Sequence, residues 1–123
     1  DDPEALTHFN AYAGAVVARY RGRGYDYEIW NEPDVEEKAF LPPARFADMV
    51  VSTAATVRDA DPDAKIICGG LSWVDFAYLD PMLARFGRRR PNVDAVGMHF
   101  YRSTRPETAI DDIALLRARL RPV

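Results

Sequence analysis

Apolar side chains recur at the spacing of an α-helix in four segments of the chain. The first helix is predicted from Asp2, which can cap it, to the sequence "RGRG" at residues 21–24. The second is predicted over Pro43–Ala60, and one of its faces is apolar: Phe46, Met49, Val50, Thr53 and Val57. A helix with one apolar face packs that face against the rest of a domain. Both segments are therefore predicted to cover a core.

The second half of the chain contains two more helical patterns. One is predicted over about residues 76–88, with an interruption at Asp80 and Pro81, because proline lacks the N–H that an inner helical turn requires. The last begins at Pro106, and its apolar side contains Ile110, Ile113, Leu116 and Leu120.

Three short segments between these helices have the composition of buried strands. They are residues 25–31 ("YDYEIWN"), residues 65–70 ("KIICGG") and residues 93–101 ("VDAVGMHFY"), and Pro33 stops the first. Strands that alternate with helices in this way form a parallel sheet joined by right-handed crossovers. The predicted fold class is therefore α/β, in a single segment that spans residues 1–123.

Three parallel strands are too few for a complete domain of this class. A doubly wound domain of this length normally has five strands, and both outer strands here would present unpaired edges. The arrangement suits about half of an eight-stranded β/α barrel, whose usual length is ~250 residues. We therefore expect a partial (β/α)8 TIM barrel, from about its third helix to the start of its seventh strand.

Composition limits the kinds of partner. With 48% apolar and 28% charged residues, the chain is typical of a globular domain, and its formal charge of −3 gives no general attraction for nucleic acid or an anionic membrane. No apolar run approaches the ~20 residues of a membrane span. The N-terminal residues lack the pattern of a signal peptide, but the chain begins without methionine, so localisation stays open. Cys68 lies in an apolar run and is predicted to be a buried, unreactive thiol.

Polar side chains follow the end of each predicted strand. They are Asn31, Glu32 and Asp34 after the first strand, Ser72 and Trp73 after the second, and His99, Tyr101 and Arg102 at the end of the third. The carboxyl ends of parallel strands meet at one edge of a sheet, so we expect these groups to surround one site. A carboxylic acid, an amide, an imidazole and aromatic rings suit a neutral, polyhydroxylated ring as substrate.

Glu32 is the candidate for acid catalysis. Cleavage of a glycosidic bond requires a proton on the leaving oxygen, so one carboxyl group must be kept protonated by burial or by a second carboxylate nearby. Asn31 is placed to hydrogen-bond the hydroxyl next to the reacting carbon. Pro33 ends the strand pairing and fixes the backbone where the carboxyl group must be aimed. The alternative is that Glu32 is a solvated loop carboxylate.

Other residues also have two interpretations. Glu28 has the strand parity of Trp30 and Glu32, so it is predicted to face inward, as part of an ion pair or hydrogen bond more than as a catalytic group. His99 is either part of the site or a packed histidine with its hydrogen bonds satisfied, and Trp73 either stacks on a sugar or covers the helix layer. No pair of histidines or cysteines has ligand spacing, so no metal site is expected. Glycoside cleavage by carboxyl groups implies no cofactor.

Three stretches together resemble one enzyme group. "YEIWNEPD" at residues 27–34 resembles the strand-four signature of the clan A glycoside hydrolases, which are retaining (β/α)8-barrel enzymes. "DADPDAKIICGGLSW" at residues 59–73 is similar to the passage from helix four to strand five in family 39, and "VDAVGMHFY" is similar to strand six of the clan. The resemblance implies that Glu32 is the general acid/base, that Asn31 binds the 2-hydroxyl group, and that Tyr101 orients the nucleophile with His99 nearby.

The resemblance also implies what this chain does not contain. Members of the clan have a glutamate nucleophile at the end of strand seven, and the chain stops at "LRARLRPV", where that strand would begin. The expected function is thus that of a fragment of a glycosidase acting on glycosides or oligo- and polysaccharides, nearly inactive in isolation. The rival hypothesis is a small flavodoxin-like α/β module that binds a ligand without catalysis.

Overall fold

A computed structural model describes residues 4–38, 40–87 and 92–121. These residues form the helices α1 (Ala5–Tyr20), α2 (Pro43–Ala60), α3 (Phe76–Phe86) and α4 (Ala109–Leu120), and the strands β1 (Asp26–Asn31), β2 (Lys65–Leu71) and β3 (Ala95–Met98). Short 3-10 turns at Glu36–Lys38 and Pro106–Thr108 precede α2 and α4. The α/β class is confirmed, and α2 has the predicted bounds. The predicted cap at Asp2 lies outside the described residues.

Helix α3 differs from the prediction because it is not interrupted at Asp80 and Pro81. It begins after Asp75, whose carboxylate accepts a hydrogen bond from the backbone N–H of Ala77 at 2.8 Å. A proline in the interior of a helix costs about 3 kcal/mol. That cost is offset by burial of the side of the helix that faces the core, which contains Tyr78, Leu79, Met82 and Phe86.

Strand β3 is shorter than the predicted span of residues 93–101. Its ladder with β2 ends at the pair Leu71 and Met98, and one further hydrogen bond joins the N–H of His99 to the carbonyl oxygen of Leu71 at 2.7 Å. Beyond that point the chain turns toward α4, where the guanidinium group of Arg102 binds Thr108 and Asp112. Apolar composition alone does not reveal where strand pairing stops, so the sequence predicts a longer strand than β3.

The three strands form one parallel sheet in the order β1, β2, β3. Residues that are paired across neighbouring strands share a face of the sheet. One row of paired residues packs in the core with buried side chains of the helices: Ile29, Cys68 and Val96. The next row lies on the opposite face, which we call the open face: Glu28, Ile67 and Ala95. Glu28 and Ala95 are exposed, so the described helices cover only one face of the sheet.

The alternation of faces is broken at the same level in β1 and β2. Trp30 has φ 70° and Gly69 has φ 38°, and the ladder passes from the pair Ile29 and Cys68 directly to the pair Asn31 and Gly70. The ladder between β1 and β2 keeps its register through this level. Between β2 and β3 it passes from the pair Cys68 and Val96 to the pair Gly70 and Gly97, so Gly69 is an extra residue that forms a β-bulge in β2.

Trp30 lies on the helix side of the sheet. Its ring meets the ring of Phe9 edge to face, with 5.6 Å between the centroids. The expectation that Glu28, Trp30 and Glu32 share one face is therefore wrong for Trp30, because simple alternation does not hold through a residue with positive φ. Gly69 also faces the helices, and a Cβ atom at this position would lie 2.6 Å from Cζ of Phe46.

Cys68 is buried in the core, as predicted, with 1% of its surface exposed. Burial raises the pKa of its thiol from 9.0 to about 12. The protonated thiol therefore contributes stability up to about pH 9, and this contribution is lost as the pH rises toward 12. We expect Cys68 not to react with 5,5′-dithiobis(2-nitrobenzoic acid) at pH 8 until denaturant is added. Rapid reaction of the folded chain would contradict this burial.

Candidate active site

Glu32 lies directly after β1, at the carboxyl end of the sheet. Its backbone N–H donates a hydrogen bond to the carbonyl oxygen of Gly70 at 2.8 Å, which continues the pairing between β1 and β2 by one residue. Its φ is 48°, a left-handed conformation that is uncommon outside glycine. The side chain is 2% exposed. The backbone therefore turns a carboxyl group inward at the point where β1 ends.

His99 is a hydrogen-bonding partner of this buried carboxyl group. Its Nδ1 lies 2.8 Å from Oε1 of Glu32, and its side chain is 33% exposed. If the carboxyl group is protonated it donates to Nδ1, and if it is ionised Nδ1–H donates to it. The ring of Tyr101 stands edge-on to the His99 ring, with 5.8 Å between the centroids. The pair can hold one proton on either partner, as a group that donates and accepts protons requires.

The loop after Glu32 is tied back to the sheet. Both carboxylate oxygens of Asp34 accept the backbone N–H of Ser72, at 3.0 and 3.1 Å, and the Ser72 hydroxyl donates to Asp34 at 2.7 Å. The N–H of Leu41 donates to the carbonyl oxygen of Pro33 at 2.9 Å. Tyr78 donates its hydroxyl to the carbonyl oxygen of Leu41 at 2.6 Å, and burial raises the pKa of Tyr78. The loops that follow β1 and β2 are thus linked through Asp34.

Removing this link is expected to destabilise the chain. Asp34→Ala leaves the partly buried N–H and hydroxyl of Ser72 without their acceptor, so we expect the free energy of unfolding to fall by about 2 kcal/mol. Urea denaturation followed by circular dichroism measures this loss. Asp63→Ala, at an exposed position in the turn after α2, is the matched control and is expected to change stability by no more than ~0.5 kcal/mol. Equal losses in the two variants would contradict a specific role for Asp34.

Two glycines leave room for side chains on the open face. A Cβ atom on Gly70 would lie 2.5 Å from Oε1 of Glu28 and 2.5 Å from Nε2 of His99. A Cβ atom on Gly97 would lie 2.8 Å from the carbonyl oxygen of Gly69 and 3.2 Å from Oε1 of Glu28. Gly70 in β2 and Gly97 in β3 therefore serve close packing, and the side chains of Glu28 and His99 both approach the space above Gly70.

The other predicted site residues are distributed unevenly. Asn31 is paired with Gly70, so it lies on the open face, where it is exposed. Trp73 is 50% exposed in the loop between β2 and α3. Arg102 does not join the site, because its side chain binds Thr108 and Asp112 next to α4 and is 12% exposed. The structure thus brings together Glu32, His99 and Tyr101, and places Asn31 at the same end of the sheet.

A groove of about 510 Å³ lies on the other side of the sheet, between the first turns of α1 and α2. It is mainly apolar and is lined by Leu6, Phe9, Trp30, Leu41 and Met49, with Arg45 and Asp48 beside them. Neither Glu32 nor His99 lines this groove. The groove therefore contributes nothing to the chemistry of the buried carboxyl group.

Two interactions at the site could not be predicted from residue types alone. The link between Asp34 and Ser72 joins positions 38 residues apart, and the reach of Glu28 across β2 depends on two glycines in other strands. Gly70 and Gly97 are the sequence signal for the position of Glu28, since small residues on neighbouring strands leave space for a long side chain.

Comparisons with known proteins were made for the whole chain. No family model matches it. No curated protein matches it either. Within the described part of the chain, no three His, Cys, Asp or Glu side chains lie together as a metal ion would require, and no helix is long and apolar enough to cross a bilayer. Its function must therefore be argued from the site itself.

Proposed function

We propose that this chain is the central part of the catalytic barrel of a retaining glycoside hydrolase, with Glu32 as the general acid/base. The observation that carries the proposal is the buried carboxyl group of Glu32, 2% exposed, which pairs with His99 where parallel strands end. A carboxyl group removed from water is easier to keep protonated, and a glycosidase needs such a group beside the leaving oxygen.

In this mechanism Glu32 acts twice. It first donates its proton to the departing oxygen while a second carboxylate attacks the sugar carbon and forms a glycosyl-enzyme intermediate. It then removes a proton from water, which displaces the enzyme carboxylate and releases the sugar. The second carboxylate must lie ~5 to 5.5 Å from Glu32 in a retaining enzyme. By resemblance to clan A it would come from strand seven of the same barrel, beyond Val123.

Neighbouring residues have roles that agree with their positions. His99 stabilises both protonation states of Glu32, because Nδ1 accepts a hydrogen bond in one state and donates in the other. Asn31 is exposed on the open face and can hydrogen-bond the 2-hydroxyl group of the sugar. The exposed rings of Tyr101 and Trp73 offer apolar faces for a sugar ring. The substrate is accordingly a glycoside or an oligo- or polysaccharide, and the reaction uses no cofactor.

The sheet supports a barrel segment over a flavodoxin-like module. A flavodoxin-like sheet reverses its strand order and has helices on both faces. The described strands follow one another in chain order, and the described helices lie on one face only. In a (β/α)8 barrel the strands also follow in order, and the face without helices points to the interior. Small residues on the open face, such as Ala95 and Gly97, suit an interior of that kind.

The stereochemistry of the reaction tests this proposal. The gene that encodes this segment is expressed in full, and the enzyme is supplied with a panel of nitrophenyl β- and α-glycosides. Proton NMR then follows the configuration of the first sugar released from any substrate that is cleaved. We expect the anomeric configuration of the substrate to be retained, as double displacement requires. Inversion, or no cleavage of any glycoside in the panel, would contradict the proposal.

A further inference from the structure

Glu28 occupies an unusual position for a charged strand residue. It lies in the middle of β1, and its side chain extends across β2 on the open face until Oε1 is 2.5 Å from the Cβ position of Gly70 and 3.2 Å from that of Gly97. A side chain at either glycine would displace it. Gly70 of β2 and Gly97 of β3 therefore leave a channel without side chains on the open face. The carboxylate of Glu28, from β1, lies in this channel.

The same channel contains the second ring nitrogen of His99. Its Nε2 also lies 2.5 Å from the Cβ position of Gly70, so Nε2 and Oε1 of Glu28 are at most twice that distance apart. At such a separation, one water molecule can bridge them, and a small rotation of Glu28 allows a direct hydrogen bond. The other ring nitrogen, Nδ1, is occupied by Glu32. The imidazole ring thus lies between a buried carboxyl group and an exposed one.

We infer that Glu28 is a positioning residue that keeps a proton on Nε2 of His99 and so reserves Nδ1 for Glu32. A carboxylate attracts an N–H and repels a bare nitrogen lone pair, so a negative charge near Nε2 favours the tautomer with its proton there. In that tautomer, Nδ1 can accept the proton of Glu32. Without Glu28, the tautomer with its proton on Nδ1 becomes more populated. In that tautomer, Nδ1 cannot accept a hydrogen bond from protonated Glu32.

The catalytic meaning of this arrangement rests on the proposed function, but its geometry does not. If Glu32 is the acid/base, Glu28 sets the hydrogen-bonding state of the group that holds it, without touching the substrate. If Glu32 has another role, the tautomer of His99 still depends on Glu28. The two ideas can therefore fail separately, provided that the tautomer is measured directly and not through activity.

The chain is well suited to that measurement because it contains only two histidines, His8 and His99. Long-range proton–nitrogen NMR of the 15N-labelled chain reports which nitrogen of each ring is protonated, and His8→Gln identifies the signals of His99. His8 is exposed on α1 and serves as an internal reference. At one pH at which the ring is neutral, we expect Nε2 of His99 to hold a larger share of the ring proton in the native chain than in a chain without Glu28.

Three variants test the role of Glu28. In Glu28→Ala, we expect the ratio of the Nε2–H to the Nδ1–H tautomer of His99 to fall roughly five- to tenfold, the scale of one ordinary hydrogen bond. Glu28→Gln retains an acceptor without the charge, so it should restore part of the ratio. Asp26→Ala, at the exposed first position of the same strand, is the control and should leave the ratio unchanged.

Gly70→Ala keeps the test decisive if Glu28→Ala fails to fold. The added methyl group would displace both Glu28 and His99, because it would meet the ends of their side chains. This substitution should therefore lower the tautomer ratio while Glu28 is still present. A folded Glu28→Ala or Gly70→Ala chain with native nitrogen shifts at His99 would overturn the inference. The inference would also be overturned if Asp26→Ala changed the nitrogen shifts of His99 as much as Glu28→Ala does.

Discussion

Replacing Glu32 with glutamine in the complete enzyme is expected to lower kcat for glycosides with poor leaving groups by about 10²-fold or more. The amide has nearly the shape of the carboxyl group and can still hydrogen-bond His99, so the fold should be retained. The amide cannot donate a proton to the departing oxygen, however, and general acid assistance is lost. Steady-state kinetics with alkyl glycosides and with dinitrophenyl glycosides measures the effect.

The two classes of substrate provide the control within the experiment. A dinitrophenolate leaves without protonation, so formation of the glycosyl-enzyme should be much less affected for that substrate. Glu36→Gln, an exposed carboxylate four positions later in the chain, should have native kinetics with both. Unchanged turnover of alkyl glycosides by Glu32→Gln would remove Glu32 from the mechanism. Equal losses of kcat/KM, which reports formation of the glycosyl-enzyme, with both leaving groups would point to a structural role.

Phe46→Ala is expected to cause the largest loss of stability among single substitutions in the core. Phe46 is fully buried in α2, and its ring lies against Gly69 at the bulge of β2. Truncating a buried phenylalanine to alanine typically costs 3–5 kcal/mol, because apolar contacts are lost and a cavity remains. We expect a loss of about 4 kcal/mol in the free energy of unfolding, measured by urea denaturation of the chain.

Leu115→Ala is the matched control for this truncation. Leu115 lies in α4 and is 56% exposed, so its removal should change the free energy of unfolding by no more than ~0.5 kcal/mol. Phe46→Ala should have a second effect, because the Phe46 ring packs against Gly69 at the bulge from the helix side. Hydrogen exchange of the β2 amides should therefore accelerate in Phe46→Ala. A loss below ~1 kcal/mol would mean that the core closes around the missing ring.

Helix α2 shows how much of the fold could be predicted. Its apolar residues repeat over about three turns, Pro43 suits the first turn, and the observed bounds equal the predicted ones. Helix α3 was predicted less well because Pro81 is a strong local signal for a break, and only burial in the core explains why the helix continues. Local sequence determines an element when no tertiary contact opposes it.

The site was partly predictable for a related reason. The rule that strands of a parallel sheet end at one edge brings Glu32, His99 and Tyr101 together, as observed. It fails for Arg102, which binds Asp112 ten residues further along the chain, since a long cationic side chain is drawn to a nearby carboxylate. Positive φ at Trp30 could not be predicted, because aromatic residues rarely adopt it.

Trp30 and Gly69, which have positive φ at the same level of β1 and β2, restrict how this segment can change in length. Deleting Trp30 would restore plain alternation in one strand while its neighbour kept an extra residue at Gly69, so every later pair between them would be displaced by one position. Asn31 would then leave the open face. Engineering that shortens or extends the end of either strand should therefore alter both together.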